Sequence, residues 1–288
     1  MSTPTTVTFS DGTIAGDGIV TRVESFADGA VVVVDATPFH PVDHTWPDQP
    51  GDSGTITAAG VTVTVTEALM AAISDEGEFA VGREIPVKRG AEGWTWLVGH
   101  RIEGVVPASF VEGAPVALAV DGARRAGLSR GHTACHVASL ALDLALVDLW
   151  RKDPGEDALG NPDFEGRANQ SSRIHEDGAV DEYRLGKSLR RAGFDTETFA
   201  ATLADREAQV NDRLAAWIAS GASSSIEAEG PTIVDRRRWH CSLPEGEAVI
   251  LCGGTHADSL AAFGSITVSL DLSDPQLLVM TTTAVPAP

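Results

Sequence analysis

His132 and His136 lie four residues apart within a segment whose composition favours a helix. Residues at positions i and i+4 of a helix share one face, so the two imidazoles would project toward the same point. A helix commonly offers two nitrogen ligands to a zinc ion in this way. Because residue 133 is Thr, the pair lacks the built-in general base of the His-Glu-x-x-His metalloproteases.

A second pair of ligand types occurs later in the chain, where Cys252 and His256 flank Gly253, Gly254 and Thr255. Two successive glycines let the backbone bend tightly, so both flanking side chains can point to one centre. A thiolate with three imidazoles favours Zn²⁺ over Mg²⁺ or Ca²⁺, which prefer oxygen ligands. The sequence therefore predicts one zinc site formed by His132, His136, Cys252 and His256.

The role of this zinc stays open at the level of the sequence. Catalytic zinc usually keeps three protein ligands and an open position, whereas four protein ligands are typical of a structural site. Either one of the four ligands is displaceable and the zinc takes part in the reaction, or the zinc positions substrate or stabilises the fold. Asp52, Glu207 and Asp258 are possible general bases, and no spacing argument selects one.

The remaining cysteines and histidines have simpler interpretations. Three cysteines in 288 residues do not make a disulfide framework, so Cys135 and Cys241 are predicted to be buried thiols. His240 is expected to be a satisfied core or surface histidine, and His175 a solvated residue in a polar loop.

The elements that must position these residues fall into two regions. Residues 5–110 are rich in Val, Thr and Gly, and their alternating runs and turns predict a small antiparallel β-barrel. We place the boundary so that a β-barrel domain covers residues 1–112 and an α+β zinc-binding domain covers residues 113–288. The predicted strands of the first domain are residues 19–24, 30–35, 55–65 and 84–87.

In the second region, apolar residues at helical spacing predict helices over residues 131–151 and 196–220. Strands are predicted over residues 247–251 and 265–270, on either side of the Cys-His motif. Residues 155–182 are polar and rich in Gly, Asn and Asp, which favours a loop.

A net charge of −20 should repel nucleic acid unless basic residues gather on one surface. Arg124, Arg125 and Arg130 could form such a basic track, and local surface ion pairs are the alternative. The chain shows no signal-peptide pattern at its start and no apolar stretch long enough to cross a bilayer. We therefore expect a soluble cytoplasmic protein with no membrane partner, and the oligomeric state stays open.

Three motifs resemble one protein family. Residues 130–136, Arg-Gly-His-Thr-Ala-Cys-His, resemble the Arg-x-His-Thr-Ala-x-His element of the alanyl-tRNA synthetase editing domain and its free-standing AlaX-like relatives. Residues 252–256 resemble that family's Cys-x-Gly-Thr-His element, and residues 37–54 are similar to its barrel motif. The motifs occur in the family's order and span nearly the whole chain. The threonyl-tRNA synthetase editing domain shares only the two metal motifs.

The resemblance implies a zinc-dependent hydrolase that removes a wrong amino acid from tRNA in trans, with seryl- or glycyl-tRNA(Ala) as substrate. Its partner would be the acceptor end of an aminoacyl-tRNA, not DNA. Carried over by motif, Thr133 and Gln49 would serve catalysis, and Thr133 would lie beside the metal. The residues implied in substrate binding are His40, His44, Trp46, Asp48, Gln49, Arg130 and Thr255.

The chain departs from the family between Pro41 and Gln49, where relatives usually have a short glycine-rich stretch. The segment in this chain, residues 42–48, is longer than that stretch and includes His44, Trp46 and Asp48. It forms either a rebuilt specificity loop or a stiff surface turn. A threonine-like or non-proteinogenic amino acid, such as fluorothreonine, is therefore a competing acyl group. Two other functions stay open: a zinc hydrolase of a small ester or amide, and a non-catalytic zinc-stabilised binding module.

Overall fold

The computed structural model describes residues 3–288 and shows an α+β protein built mostly of strands. The chain folds into two compact units, and each unit is made of three separate segments of the chain. The first unit holds the chain up to Arg125 with Glu227–Arg237 and Gly253–Thr255; the second holds Ala126–Ile226, Arg238–Cys252 and His256–Pro288.

The first unit contains a curled antiparallel sheet of eight strands, in the order β6-β5-β10-β2-β3-β9-β7-β8. Its strands are β2 Ala15–Phe26, β3 Gly29–Val34, β5 Gly54–Ala58, β6 Val61–Val65, β7 Glu67–Ser74, β8 Phe79–Val81, β9 Trp94–Glu103 and β10 Pro115–Val120. Two short strands, β1 Thr6–Val7 and β4 Ala36–Thr37, pair in parallel.

The valine run of β3 explains why this sheet buries residues on both faces. Val32 and Val34 lie in the main core of the unit, whereas Val31 and Val33 pack with Ala71 in a smaller apolar cluster. Successive side chains of a strand point to opposite faces, so a continuous apolar run suits a strand covered on both sides. A register shift between Val20 and Arg22 of β2 bends the sheet locally.

Two strand predictions in this region were wrong. Residues 84–87 are not a strand, because Pro86 has no N–H to donate to a ladder and a 3₁₀ turn, Gly82–Glu84, precedes it. Residues 55–65 are a hairpin of β5 and β6, with a turn at Ala59 and Gly60, both at positive φ. Strands β7 and β9 were not predicted, since their partly double-sided burial hides the alternation.

The second unit contains a four-stranded antiparallel sheet, β11-β12-β17-β16, and a three-stranded sheet, β13-β14-β15. Its strands are β11 Asn169–His175, β12 Gly178–Arg184, β13 Ser224–Ala228, β14 Arg237–Leu243, β15 Gly246–Leu251, β16 Phe263–Asp274 and β17 Leu277–Pro286. The helices are α1 Gly122–Ala145, α2 Glu165–Ala168, α3 Lys187–Ala192, α4 Thr196–Ala201 and α5 Leu203–Ser220.

Helix α1 begins nine residues before the predicted start. The Asp121 side chain accepts hydrogen bonds from the backbone N–H groups of Ala123 and Arg124, which are otherwise unsatisfied at a helix start. At the other end, Arg206 donates to the carbonyl of Ala145 and pairs with Asp148, so the helix stops at residue 145 and not at 151. No helix of residues 3–288 is long and apolar enough to cross a membrane.

The loop predicted over residues 155–182 was also wrong, because α2 and most of the β11–β12 hairpin lie there. Within β11 only Ile174 is buried, so the strand carries no apolar alternation for sequence reasoning to detect. The predicted helix 196–220 is confirmed as α4 and α5, whose residues Phe199, Val210 and Trp217 are buried.

Candidate metal centre

Helix α1 holds His132 and His136 in the interior of the second unit. The two ring centroids are 4.8 Å apart, as expected for one helical turn on one face. A side chain at Gly131 would place its Cβ 2.2 Å from the carbonyl oxygen of His175, so glycine permits the close approach of the helix to the β11–β12 hairpin. Tight packing therefore fixes the helix that carries both imidazoles.

Cys252 and His256 join these histidines from the segment after β15. The Sγ of Cys252 lies 3.3 Å from Nε2 of His132 and 3.2 Å from Nε2 of His256. The ligand atoms of all four residues lie within 4.8 Å of one another, an arrangement that could hold a metal ion. The four residues expected from the sequence to share one site are thus brought together.

His136 carries the strongest sign that something else belongs in this cluster. Its Nε2 is buried and has no hydrogen-bond partner among residues 3–288. Burial lowers the pKa of His136 to about 4, so the imidazole is neutral at pH 7 and keeps a lone pair. Neutral imidazoles and a thiolate are the forms that bind metal, so these donors fit a metal ion with nitrogen and sulfur ligands.

Thr133 supports the cluster from the same helix. Its Oγ1 accepts a hydrogen bond from the backbone N–H of Ala257 at 3.0 Å and lies 3.3 Å from Nδ1 of His256. Because the Nε2 of His256 faces Cys252, a proton on Nδ1 would be donated to the Thr133 hydroxyl. Contacts of this kind fix the tautomer and orientation of a metal-binding histidine.

Trp239, which sequence reasoning did not select, forms a wall of the cluster. Its ring centroid lies 5.1 Å from that of His136 and 5.5 Å from that of His256. The residue is fully buried on β14, and its Nε1 donates to Oγ of Ser224 at 2.9 Å. The alternation Arg237, Trp239, Cys241 along β14 was the available signal, since these three residues are buried while their neighbours are more exposed.

In the first unit, Gln49 and Thr255 form a paired contact. The Gln49 side chain donates from Nε2 to Oγ1 of Thr255 at 2.9 Å, and its Oε1 accepts the backbone N–H of Thr255 at 3.0 Å. Asp48 accepts the backbone N–H of Gln49 through its side chain. Both Gln49 and Thr255 are buried, and Thr255 directly precedes the ligand His256 in the chain. Gln49 of the segment 37–54 therefore contacts Thr255 of the segment 252–256.

The other substrate-binding candidates of the first unit differ in exposure. His40 is buried edge-on against Phe9, and burial lowers its pKa to about 4. The His44 side chain is also buried, with Nε2 2.9 Å from the carbonyl oxygen of Val87 and the ring beside Trp96. Trp46, in contrast, is 50% exposed.

The three arginines expected to form a basic track are engaged with partners. The Arg125 guanidinium is buried in an ion pair with Asp52, and Arg124 donates to the carbonyl of Gly51. In the second unit, Arg130 pairs with Asp177 at 2.5 Å. Arg125 therefore cannot serve an open basic track, because its charge is neutralised in the interior.

The possible general bases are engaged with other partners or exposed. The Asp52 carboxylate holds Arg125 and accepts the backbone N–H of His40. Glu207 accepts the backbone N–H of Leu270 at 2.7 Å, and Asp258 is exposed. The two other thiols are buried as predicted, with Cys135 3.4 Å from the carboxylate of Asp181.

No protein-family model matches the chain. The chain is similar in sequence to an alanine–tRNA ligase of Methanopyrus kandleri, with 30% identity over 177 residues. The match covers 60% of this chain and 17% of the length of that much longer protein. A distant likeness to one part of an alanine–tRNA ligase thus accompanies the cluster of potential metal ligands.

Proposed function

We propose that the chain is a zinc-dependent hydrolase that deacylates mischarged aminoacyl-tRNA in trans. The observation that carries the proposal is the meeting of His132, His136, Cys252 and His256, which lie in two motifs that resemble those of the alanyl-tRNA synthetase editing domain. The partial match to an alanine–tRNA ligase, 30% identical over 177 residues, supports the same assignment. The proposal includes a β-barrel domain over residues 1–112, an editing domain over 113–288 and a cytoplasmic location.

Zinc is the metal that best suits one thiolate and three imidazoles. Ligand atoms around a tetrahedral zinc are about 3.3 to 3.6 Å apart, given zinc–nitrogen and zinc–sulfur bonds of about 2.0 and 2.3 Å. The contacts of Cys252 with His132 and His256 are close to this spacing, and the widest ligand pair has to shorten. Bound zinc would supply a Lewis acid for the ester carbonyl.

Hydrolysis of the ester needs few further groups from the protein. Water adds to the ester carbonyl, the bond to the ribose oxygen breaks, and the free amino acid and the ribose hydroxyl leave. An aminoacyl ester is already activated, so orientation of ester and water supplies much of the acceleration. Thr133 is proposed to orient His256, and Gln49 to hold Thr255 in place beside that ligand.

For the acyl group, we propose serine or glycine on tRNA(Ala), with a threonine-like amino acid such as fluorothreonine as the competitor. Residues 42–48 motivate the competitor, because His44 is anchored in the interior and Trp46 is exposed. Arg130 and Asp48, with His40, His44 and Trp46, remain proposed substrate-binding residues.

The test is deacylation of a panel of aminoacyl-tRNAs by the zinc-loaded protein, led by seryl-tRNA(Ala), glycyl-tRNA(Ala) and threonyl-tRNA(Thr). His132→Ala should abolish turnover of the accepted member. His175→Ala is the matched control, because His175 is exposed and its ring makes a hydrogen-bond contact with the carbonyl of Glu176 and not with the four clustered residues. Zinc binding without cleavage of any member would contradict the proposal.

One observation favours a second candidate, a zinc hydrolase of a small ester or amide. The net charge is −20, and two of the three arginines of the expected basic track, Arg125 and Arg130, are paired with carboxylates. Hydrolysis of a free aminoacyl ester at the same rate with and without an attached tRNA body would support this candidate over the first.

A further inference from the structure

Arg89, in the segment between β8 and β9, is a cation beside the glycine that follows Cys252. Its Nη1 lies 3.6 Å from the position that a Cβ would take on Gly253. The same Nη1 donates to Oδ2 of Asp43 at 2.9 Å. Arg89, Asp43 and Gly253 all belong to the first unit. The guanidinium therefore lies against the backbone of the Cys-Gly-Gly-Thr-His motif.

Asp43 is held so that it can orient this guanidinium. Its Oδ1 accepts hydrogen bonds from the backbone N–H and the hydroxyl of Thr45 and from the backbone N–H of Trp46. Burial acts to raise the pKa of Asp43, but these hydrogen bonds and the charge of Arg89 bring it below the usual value. The carboxylate is thus ionised and fixed, which restricts the directions that Arg89 can take.

The segment before Arg89 is tied to the same loop. The Nε2 of His44 lies 2.9 Å from the carbonyl oxygen of Val87, two residues before Arg89. The Arg89 side chain remains 40% exposed despite these contacts. A guanidinium has five N–H donors, so one that bonds Asp43 through Nη1 keeps donors for a ligand from solvent.

A second cation lies within electrostatic range. Burial lowers the pKa of Arg237, and the charge of Arg89 lowers it further, while Asp235 and Asp11 act in the opposite direction. The guanidinium of Arg237 packs on the ring of Phe9, and its buried Nε has no hydrogen-bond partner among residues 3–288. The Nη groups of Arg237 donate to the backbone carbonyls of Asp235 and Thr232, so this residue would act on an anion through its charge. The charges of Arg89 and Arg237 disfavour each other, and an anion bound at Arg89 would offset part of that cost.

The chemistry of the proposed substrate identifies the anion. The amino acid of an aminoacyl-tRNA carries an ammonium group and is joined through a neutral ester. The negative charges at this end of the substrate are therefore the phosphodiesters of the terminal nucleotides. Arginine is well suited to phosphate because its planar fork can bond two oxygens. We infer that Arg89, with Arg237 adding positive potential, binds a phosphodiester of the acceptor end. The inference rests on the proposed function and adds a contact that a small ester could not use.

The experiment measures binding of an uncharged RNA minihelix that ends in CCA, so it does not depend on catalysis. Arg89→Ala is compared with Arg101→Ala, a control in the same unit whose side chain is 45% exposed and pairs with Asp28 at 2.5 Å. A second minihelix carries uncharged methylphosphonates at its two 3′-terminal linkages. Zinc content and the melting temperature of each variant report on its folding.

We expect Arg89→Ala to weaken binding of the native minihelix about 10-fold, as for a hydrogen bond to a charged group. The dependence of log Kd on log salt should fall by about 0.7, the value for one contact with a single strand. Arg101→Ala should stay within about twofold. The uncharged linkages should weaken binding by the wild-type protein about as much as the arginine substitution does, a result that needs no variant to fold.

Equal binding by Arg89→Ala and Arg101→Ala would overturn the inference and leave the proposed function intact. So would an equal loss from Arg89→Ala on both minihelices, because the lost contact would then not involve those phosphates. If the wild-type protein fails to bind the native minihelix at about 50 mM salt, where phosphate contacts are strong, the proposed function itself fails and the inference fails with it.

Discussion

Helix α1 contributes to two buried polar clusters of the second unit that differ in kind. The nitrogen–sulfur cluster consists of His132, His136, Cys252 and His256. The acid network consists of Cys135, Glu165, Asp181 and Tyr183. Cys135 lies 3.4 Å from the carboxylate of Asp181, and Glu165 accepts a hydrogen bond from Asn169 at 2.9 Å. The Oε2 of Glu165 and the hydroxyl of Tyr183 are buried with no hydrogen-bond partner among residues 3–288.

The two clusters differ in the protonation states that burial favours. Burial raises the pKa of Glu165 to about 7 and that of Asp181 to about 6, so the acid network can relieve its charge by taking up protons. His136 is kept neutral, with a buried lone pair that no described residue satisfies. A buried carboxyl group can lose its charge by protonation, whereas neutral imidazoles and a thiolate that converge on one point favour a bound cation.

The largest expected effect is the loss of metal from the nitrogen–sulfur cluster. His136→Ala removes one ligand, so the fall in zinc affinity should exceed the 10- to 100-fold cost of losing an outer contact. Competition with a chelator measures the affinity, with His175→Ala as the control. Unchanged zinc affinity in His136→Ala would remove His136 from the site and weaken the contrast between the clusters.

Next in size is the effect of the hydroxyl beside His256. Thr133→Ala should lower zinc affinity by about 10- to 100-fold, because the imidazole loses the contact that fixes its orientation. Thr133→Ser keeps the hydroxyl and should recover most of that loss in the same chelator competition. If Thr133→Ser loses as much zinc affinity as Thr133→Ala, the methyl group of Thr133, and not its hydroxyl, is responsible for the effect.

The acid network should show its difference through pH. The folded-state pKa of Glu165, about 7, lies above its ordinary value of 4.5, so the fold favours the protonated form. At low pH the carboxyl group is protonated in both the folded and the unfolded state, so its ionisation does not affect the free energy of unfolding. As pH rises from about 4.5 to 7, ionisation in the unfolded state progressively destabilises the fold. In urea unfolding, Glu165→Gln should therefore gain stability relative to wild type over that range. A difference that does not change with pH would contradict the raised pKa.

The smallest effect is expected at Cys135, which neighbours His136 in sequence but belongs to the acid network. Cys135→Ala removes a weak hydrogen bond to Asp181 and should leave one zinc per chain, as measured by elemental analysis. Cys252→Ala is the contrasting variant and should lose the metal. Metal loss in both would mean that the two clusters are not separate.

The local patterns gave correct predictions where one chemical requirement dominates. Residues four apart on a helix and two residues flanking a glycine pair have few ways to be arranged, so the meeting of these four side chains was predictable. Strand predictions failed where burial is on both faces, as in β7, or nearly absent, as in β11. Alternation is informative only when one face of a strand is buried.

The sequence by itself determined the donor types of the metal centre, the buried state of Cys135 and Cys241, and the α+β class, because these depend on composition and short spacings. Only the tertiary structure decided that Trp239 forms a wall of the cluster, that Gln49 holds Thr255, and that Arg125 is neutralised by Asp52. It also assigned Gly253–Thr255 to the first unit, although the ligands on either side belong to the second. Such contacts join residues far apart in the chain, and their free energy depends on burial and geometry that no local pattern encodes.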